Sequence, residues 1–119
     1  MYLKGKNILI TGASYGLGAL IAKELSKEGA NLFLTARSES KLKLLTKNFK
    51  KKKNFYHIVD FQSLDSILKM TKKVKSVFKN IDVIMHIAGG GLGVSEYDPK
   101  HEDYMKVFNL NLFSIFEIN

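Results

Sequence analysis

The chain has no cysteine, no tryptophan and, among its nineteen basic residues, one arginine. Without cysteine neither disulfides nor thiolate chemistry arises, and such a composition suits a reducing compartment. No apolar run approaches the roughly 20 residues that span a bilayer, so no membrane partner is expected. The first apolar run begins within a few residues of Met1, which leaves no room for a signal peptide ahead of it. The expected location is cytoplasmic. The absence of tryptophan beside abundant lysine, asparagine, isoleucine and phenylalanine fits a base-composition bias in the gene.

What the chain has in excess is lysine. A formal charge of +8 over 119 residues raises the question of a polyanionic partner. The densest run, Lys50 to Lys53, lies between an expected helix and an expected strand, contains no arginine and is flanked only by Phe49, Phe55 and Tyr56. That pattern reads as a solvated surface, and no nucleic acid is expected.

The most informative segment is Thr11 to Gly18, reading TGASYGLG, between the apolar run Ile8-Leu9-Ile10 and an amphipathic stretch. Glycines at 12, 16 and 18 fall where a strand must turn sharply into a helix. Gly12 permits the turn, Gly16 lets the backbone approach a phosphate, and Gly18 lets the helix press on the sheet. The N-terminus of such a helix carries unpaired N–H groups and about half a positive charge, a natural seat for a dinucleotide pyrophosphate. Ser14 adds a hydroxyl, and Tyr15 and Leu17 complete the turn. Glycine-rich turns that bind nothing are also common, so the spacing alone is weak evidence.

Strand and helix patterns alternate along the chain. Asn7–Thr11, Asn31–Ala36, Phe55–Val59 and Ile81–Ile87 read as strands. Helical spacing links Leu17, Leu20, Ile21 and Leu25, with Gly29 ending that helix. Leu42, Leu45 and Phe49 mark a second helix opened by Ser38 or Ser40. Leu64, Ile67, Leu68, Thr71, Val74 and Phe78 mark a third, with Ser63 as its N-cap. A last helix is expected from His101 onward. The alternation predicts an α/β fold with a doubly wound parallel sheet, in one domain over residues 1–119.

Thr11 and the glycine spacing Gly12-x-x-x-Gly16-x-Gly18 resemble the cofactor turn of the short-chain dehydrogenase/reductase family, and the resemblance runs to about Ile118. It implies a Rossmann-type sheet of strand order 3-2-1-4, here truncated, and an oxidoreductase that interconverts a carbonyl and an alcohol with a nicotinamide cofactor. Arg37, directly after the second strand, faces the adenosine ribose in that architecture. NAD-selective folds usually carry an acid there, whereas this strand ends in Ala36. A guanidinium fork with Ser38 beside it suits a 2′-phosphate, so NADP is expected over NAD. The family implies that Asp60 accepts from the adenine amino group and that Phe61 lines the adenine pocket. The resemblance also places Ala88, Gly89 and Gly90 beside the nicotinamide-side ribose, although His86 and Ile87 replace the asparagines usual there. No second histidine or carboxylate stands at ligand spacing from His86, so no metal is expected.

Asn111 falls in the middle of the apolar face formed by Tyr104, Val107, Phe108, Leu112 and Ile115. A buried amide needs partners, and in the family an asparagine in this context binds a water linked to the catalytic lysine. The family's Tyr-x-x-x-Lys motif and its serine would lie beyond Asn119. Tyr2 and Lys6 share that spacing but precede the first strand, and no other tyrosine has a lysine four residues on. The chain thus reads as the cofactor half of a reductase, incomplete at its C-terminus and inactive alone, with a small carbonyl or alcohol as substrate and a homo-oligomeric full-length form. A non-catalytic NAD(P)-binding module is the alternative.

Overall fold

The structure, a computed structural model, describes residues 3–49 and 53–88. Among the described residues four strands and three helices alternate: β1 (Asn7–Thr11), α1 (Gly16–Lys27), β2 (Asn31–Ala36), α2 (Glu39–Thr46), β3 (Asn54–Ile58), α3 (Leu64–Val77) and β4 (Val83–His86). The strands form one parallel sheet in the order β3-β2-β1-β4. Ile8 stands between Leu32 of β2 and Val83 of β4, which sets the register of the sheet's centre.

Strand periodicity explains why the sheet is covered on both faces. Successive side chains point to opposite sides, and two apolar cores follow from that alternation. Ile8, Ile10, Leu32 and Leu34 pack with Ala22 and Leu25 of α1 and Leu42 of α2. Leu9 and Phe33 turn the other way and pack with Ile67, Met70 and Val74 of α3. Phe78 closes this second core, edge-on to Phe33 and Phe55 with ring centroids 6.4 and 5.8 Å apart. Both β1 and β2 are therefore nearly continuous apolar runs, as strands buried on two faces must be.

Each helix ends as its local sequence dictates. Ser38 caps α2 by accepting from the Lys41 N–H, and Ser63 caps α3 by accepting from the Ser66 N–H. Gly29, at φ +85°, closes α1: its N–H reaches the Ser26 carbonyl while the Ala30 N–H reaches the Leu25 carbonyl. This paired Schellman arrangement requires a left-handed residue.

The helical stripe of α1 coincides only in part with its buried face. Leu17 and Leu20 are 62% and 57% exposed, and the buried positions are Gly18, Ala22 and Leu25. A helix docks closest where its residues are small, and close docking turns the neighbouring leucines to the flanks. Leu64 and Leu68 of α3 are likewise exposed. The second helix stops at Thr46, so Phe49 packs from beyond its end. The third strand spans Asn54–Ile58 and the fourth Val83–His86, both displaced or shorter than expected. The last helix expected from His101 lies outside the described residues.

Asparagines tie the lower end of the sheet together. The Asn31 amide donates to the Gly5 carbonyl at 3.1 Å and to Asn7 Oδ1 at 2.8 Å. Asn7 in turn donates its side-chain amide to the Asn80 carbonyl and its backbone N–H to Asp82, each at 2.8 Å. The network links β1 to the starts of β2 and β4. Asn7→Ala removes two of these bonds and deprives the buried Asn31 amide of one partner. We expect a loss of about 1–2 kcal/mol, readable as a lower urea midpoint at unchanged slope.

Candidate functional site

The C-terminal ends of β1, β2 and β3 open onto a groove of about 240 Å³. In open parallel sheets ligands bind outside these strand ends. The β1–α1 turn forms its floor. Gly12 takes φ +66°, and a Cβ there would stand 2.6 Å from the Ala88 nitrogen. The turn thus combines a left-handed backbone with close contact to the exit of β4. Thr11, buried at 1% exposure, fixes that contact: its hydroxyl accepts from the Ala88 N–H at 3.1 Å. Gly18 rests directly on the Gly12 carbonyl, where any Cβ would overlap it. Around Gly16, by contrast, a Cβ would meet nothing within 4 Å.

The start of α1 differs from the other two helix starts. Tyr15 stands at its N-cap without a side-chain cap bond, and its first turn holds no acidic residue. Both α2 and α3 have a serine cap and an acid, Glu39 or Asp65, in the first turn. An uncapped N-terminus keeps its N–H donors and its partial positive charge for an external anion. That terminus faces the groove through Ser14, Tyr15, Gly16, Leu17 and Gly18.

The second wall comes from the exits of β2 and β3. Arg37 is exposed and lies in the groove with Ser38. Ser38 Oγ is also the α2 cap, 3.3 Å from the Lys41 N–H, and lies 3.2 Å from Ser40 Oγ. Its hydroxyl oxygen is therefore partly committed to the helix. Asp60 sits two residues past β3 rather than closing it, and its Oδ1 accepts from the Gln62 N–H at 3.0 Å. The carboxylate thus shapes a turn while lining the groove. Phe61 reaches the groove but is 5% exposed, so most of its ring belongs to the core beside Ile67 and Met70.

The structure brings Gly12, Ser14, Tyr15, Gly16, Leu17, Gly18, Arg37, Ser38, Asp60, Phe61 and Ala88 to one groove. Gly89, Gly90 and Asn111 lie outside the described residues. Ala36, Lys41, Gln62 and Ile87 also line it and were not anticipated. For Lys41 a signal existed. It is the third helical residue after the Ser38 cap, and Cα–Cβ bonds tilt toward the helix N-terminus, which aims its side chain back at Arg37's end.

A larger groove, about 1240 Å³, runs between α1 and α2, lined by Leu20, Lys23, Leu44, Leu45 and Phe49 among others. It meets the first at Ser14, Tyr15, Gly16 and Lys41. Size does not make it the chemical site, because the uncapped helix start, Arg37 and Asp60 converge on the smaller one. Among the described residues no group of three or more histidines or acids could hold a metal, and no helix is long and apolar enough to cross a membrane.

A family model described as short chain dehydrogenase matches residues 6–119. The chain belongs to the short-chain dehydrogenase/reductase family. It is 31% identical over 116 residues to the 3-oxoacyl-acyl-carrier-protein reductase FabG of Buchnera aphidicola, covering 98% of this chain and 47% of that protein. An uncharacterised oxidoreductase of Staphylococcus saprophyticus is 34% identical over 90 residues, covering 73% of this chain and 38% of the relative. Among solved structures, the NADH-dependent reductase A1-R′ complexed with NAD superposes with a TM-score of 0.87 at 28% identity, covering 98% of this chain and 50% of that one. A variant of actinorhodin polyketide ketoreductase with NADPH gives 0.83 at 28% identity, covering 96% and 44%. The chain therefore spans about half the length, or less, of these family members. The family resemblance and the strand order expected from the sequence both hold.

Proposed function

We propose that this chain is the cofactor-binding part of an NADP-dependent oxidoreductase that interconverts a carbonyl and an alcohol. The observation that carries the reading is the groove itself, where an uncapped helix start faces Arg37 across the strand ends. The α1 N–H groups hold the pyrophosphate, and the open space at Gly16 gives a phosphate room to approach the backbone. Arg37, with the Ser38 hydroxyl, takes the 2′-phosphate, while β2 ends in Ala36 with no carboxylate for a bare ribose. Asp60 accepts from the adenine amino group with the carboxylate oxygen that Gln62 does not occupy. Ala88, with Gly89 and Gly90 after it, keeps the nicotinamide-side ribose close to the backbone. A bound nicotinamide supplies the hydride for the carbonyl–alcohol interconversion. Two of the similar proteins hold NAD and NADPH respectively, so the choice between cofactors comes from this chain's own residues.

We assign Asn111 to binding the water next to a catalytic lysine, and the tyrosine, lysine and serine of the reaction to residues after Asn119. One domain over residues 1–119, continued by those residues, completes the reading, with a small carbonyl or alcohol as substrate, a cytoplasmic location and a homo-oligomeric full-length form. Titration with NADP and NAD tests it: preferential NADP binding is expected, and binding of neither would remove the proposal. The 119-residue chain alone is expected to show no NADPH-dependent carbonyl reduction above a protein-free control, because its sequence holds no Tyr-x-x-x-Lys pair after the first strand to protonate the alkoxide. Measurable turnover by that chain would put the proton donor among the residues already present.

A further inference from the structure

Lys41 differs from Lys27 and Lys69 in what it reaches. Lys27 and Lys69 each contact a carboxylate on their own helix, Glu24 and Asp65. The Lys41 ammonium crosses from α2 to the start of α1 and stands 5.4 Å from the centre of the Tyr15 ring. Tyr15 is 67% exposed, so its ring is not placed there by burial in the core. A ring face attracts an ammonium and narrows the range of a side chain that solvent would otherwise leave free. Lys41 and Tyr15 together stand where the strand-end groove meets the larger groove between the helices.

Charge at this end of the groove makes the lysine consequential. Arg37 and Lys41 share the groove with the Asp60 carboxylate, and Glu39 lies in the first turn of α2. With Arg37 alone, the Asp60 carboxylate would offset the guanidinium charge in the groove lining, a poor setting for a phosphate dianion. Lys41 makes that lining net positive. A guanidinium fork engages two phosphate oxygens, and an ammonium with three donors suits the third. We propose that Lys41, steered by the Tyr15 ring, is a second cationic ligand of the adenosine 2′-phosphate and shares NADP selection with Arg37. This rests on the cofactor reading above, in which Arg37 is the first ligand.

Calorimetric titration of the purified protein with NADP and with NAD, which differ by that one phosphate, tests the assignment. Lys41→Met keeps the aliphatic stem and removes the charge. It is expected to weaken NADP about tenfold, leave NAD within about twofold, and flatten the salt dependence of NADP affinity. Lys41→Arg should retain most of the affinity, and Tyr15→Leu should give a smaller loss confined to NADP. If Arg37→Ala abolishes NADP preference while Lys41→Met leaves it intact, the Lys41 assignment is overturned and the cofactor reading stands. Equal weakening of both nucleotides by Lys41→Met also overturns it, since the lysine would then serve the pyrophosphate or the turn. Equal NADP and NAD affinity in the unsubstituted protein would overturn both.

Discussion

Gly18→Ala is expected to destabilise the protein by about 3 kcal/mol or more, whereas Gly16→Ala should cost only about 1–2 kcal/mol. The two glycines sit two residues apart in one turn, and the structure separates their reasons. A methyl group on Gly18 would overlap the Gly12 carbonyl oxygen, with Ala13 Cα only 3.1 Å away. Those atoms are backbone, in a turn that also rests on Thr11 and Ala88, so no side chain can swing aside. Relief requires α1 to lift from the sheet. That movement opens the core where Ala22 and Leu25 meet Ile8 and Leu32, and it displaces the N–H donors from the groove. Around Gly16 there is only solvent, and the cost is that of holding a residue with a Cβ at φ +56°. Since domains are stable by only about 5–15 kcal/mol, Gly18→Ala should be near the limit of folding. Urea unfolding of both variants decides the matter. Equal losses would mean that backbone conformation, not contact with Gly12, is why both glycines are needed.

This contrast also marks what sequence can convey. The glycine spacing, the buried runs of β1 and β2 and the serine caps are local signals, and each reappears in the structure where the residues stood. The strand order 3-2-1-4 followed from the family resemblance and is what the sheet shows. Positions set by contacts distant in sequence were harder to read. Thr11 looks like the last residue of a strand, and only the fold brings its hydroxyl to Ala88, 77 residues on. Helical spacing put Leu17 and Leu20 on one stripe with Leu25, yet only Leu25 of the three is buried, because periodicity records apolarity without recording how closely a helix docks. Phe61 showed the opposite difficulty. A family role placed it against a ligand, while its ring is largely held by the core. Asp60 has a turn to hold as well as a groove to line, and a carboxylate with two oxygens can do both. Lys41 was one of eighteen lysines and took on meaning only through its distance to Tyr15.

Most of the proposed preference for NADP should be lost when Arg37 is replaced, with Lys41 leaving a remainder. Arg37→Ala removes the guanidinium from the exit of β2 and leaves the α1 N-terminus, the glycine turn and Asp60 in place. Charge-assisted hydrogen bonds contribute about 1.5–3 kcal/mol, which corresponds to roughly ten- to hundredfold in affinity. Arg37 is exposed, so solvent and salt screen it, and the lower half of that range is expected at physiological ionic strength. NAD, which lacks the phosphate, should bind the variant as well as it binds the original protein. The fold should be unaffected, because Arg37 contributes to neither core, and an unchanged unfolding midpoint serves as the control. Affinities for both nucleotides, before and after the substitution and at two salt concentrations, decide the outcome. A loss of NADP affinity that shrinks at high salt while NAD stays constant assigns the 2′-phosphate to Arg37. A protein that binds NAD and NADP equally well before any substitution has no preference to lose, and Arg37 would then be a surface residue over the sheet edge.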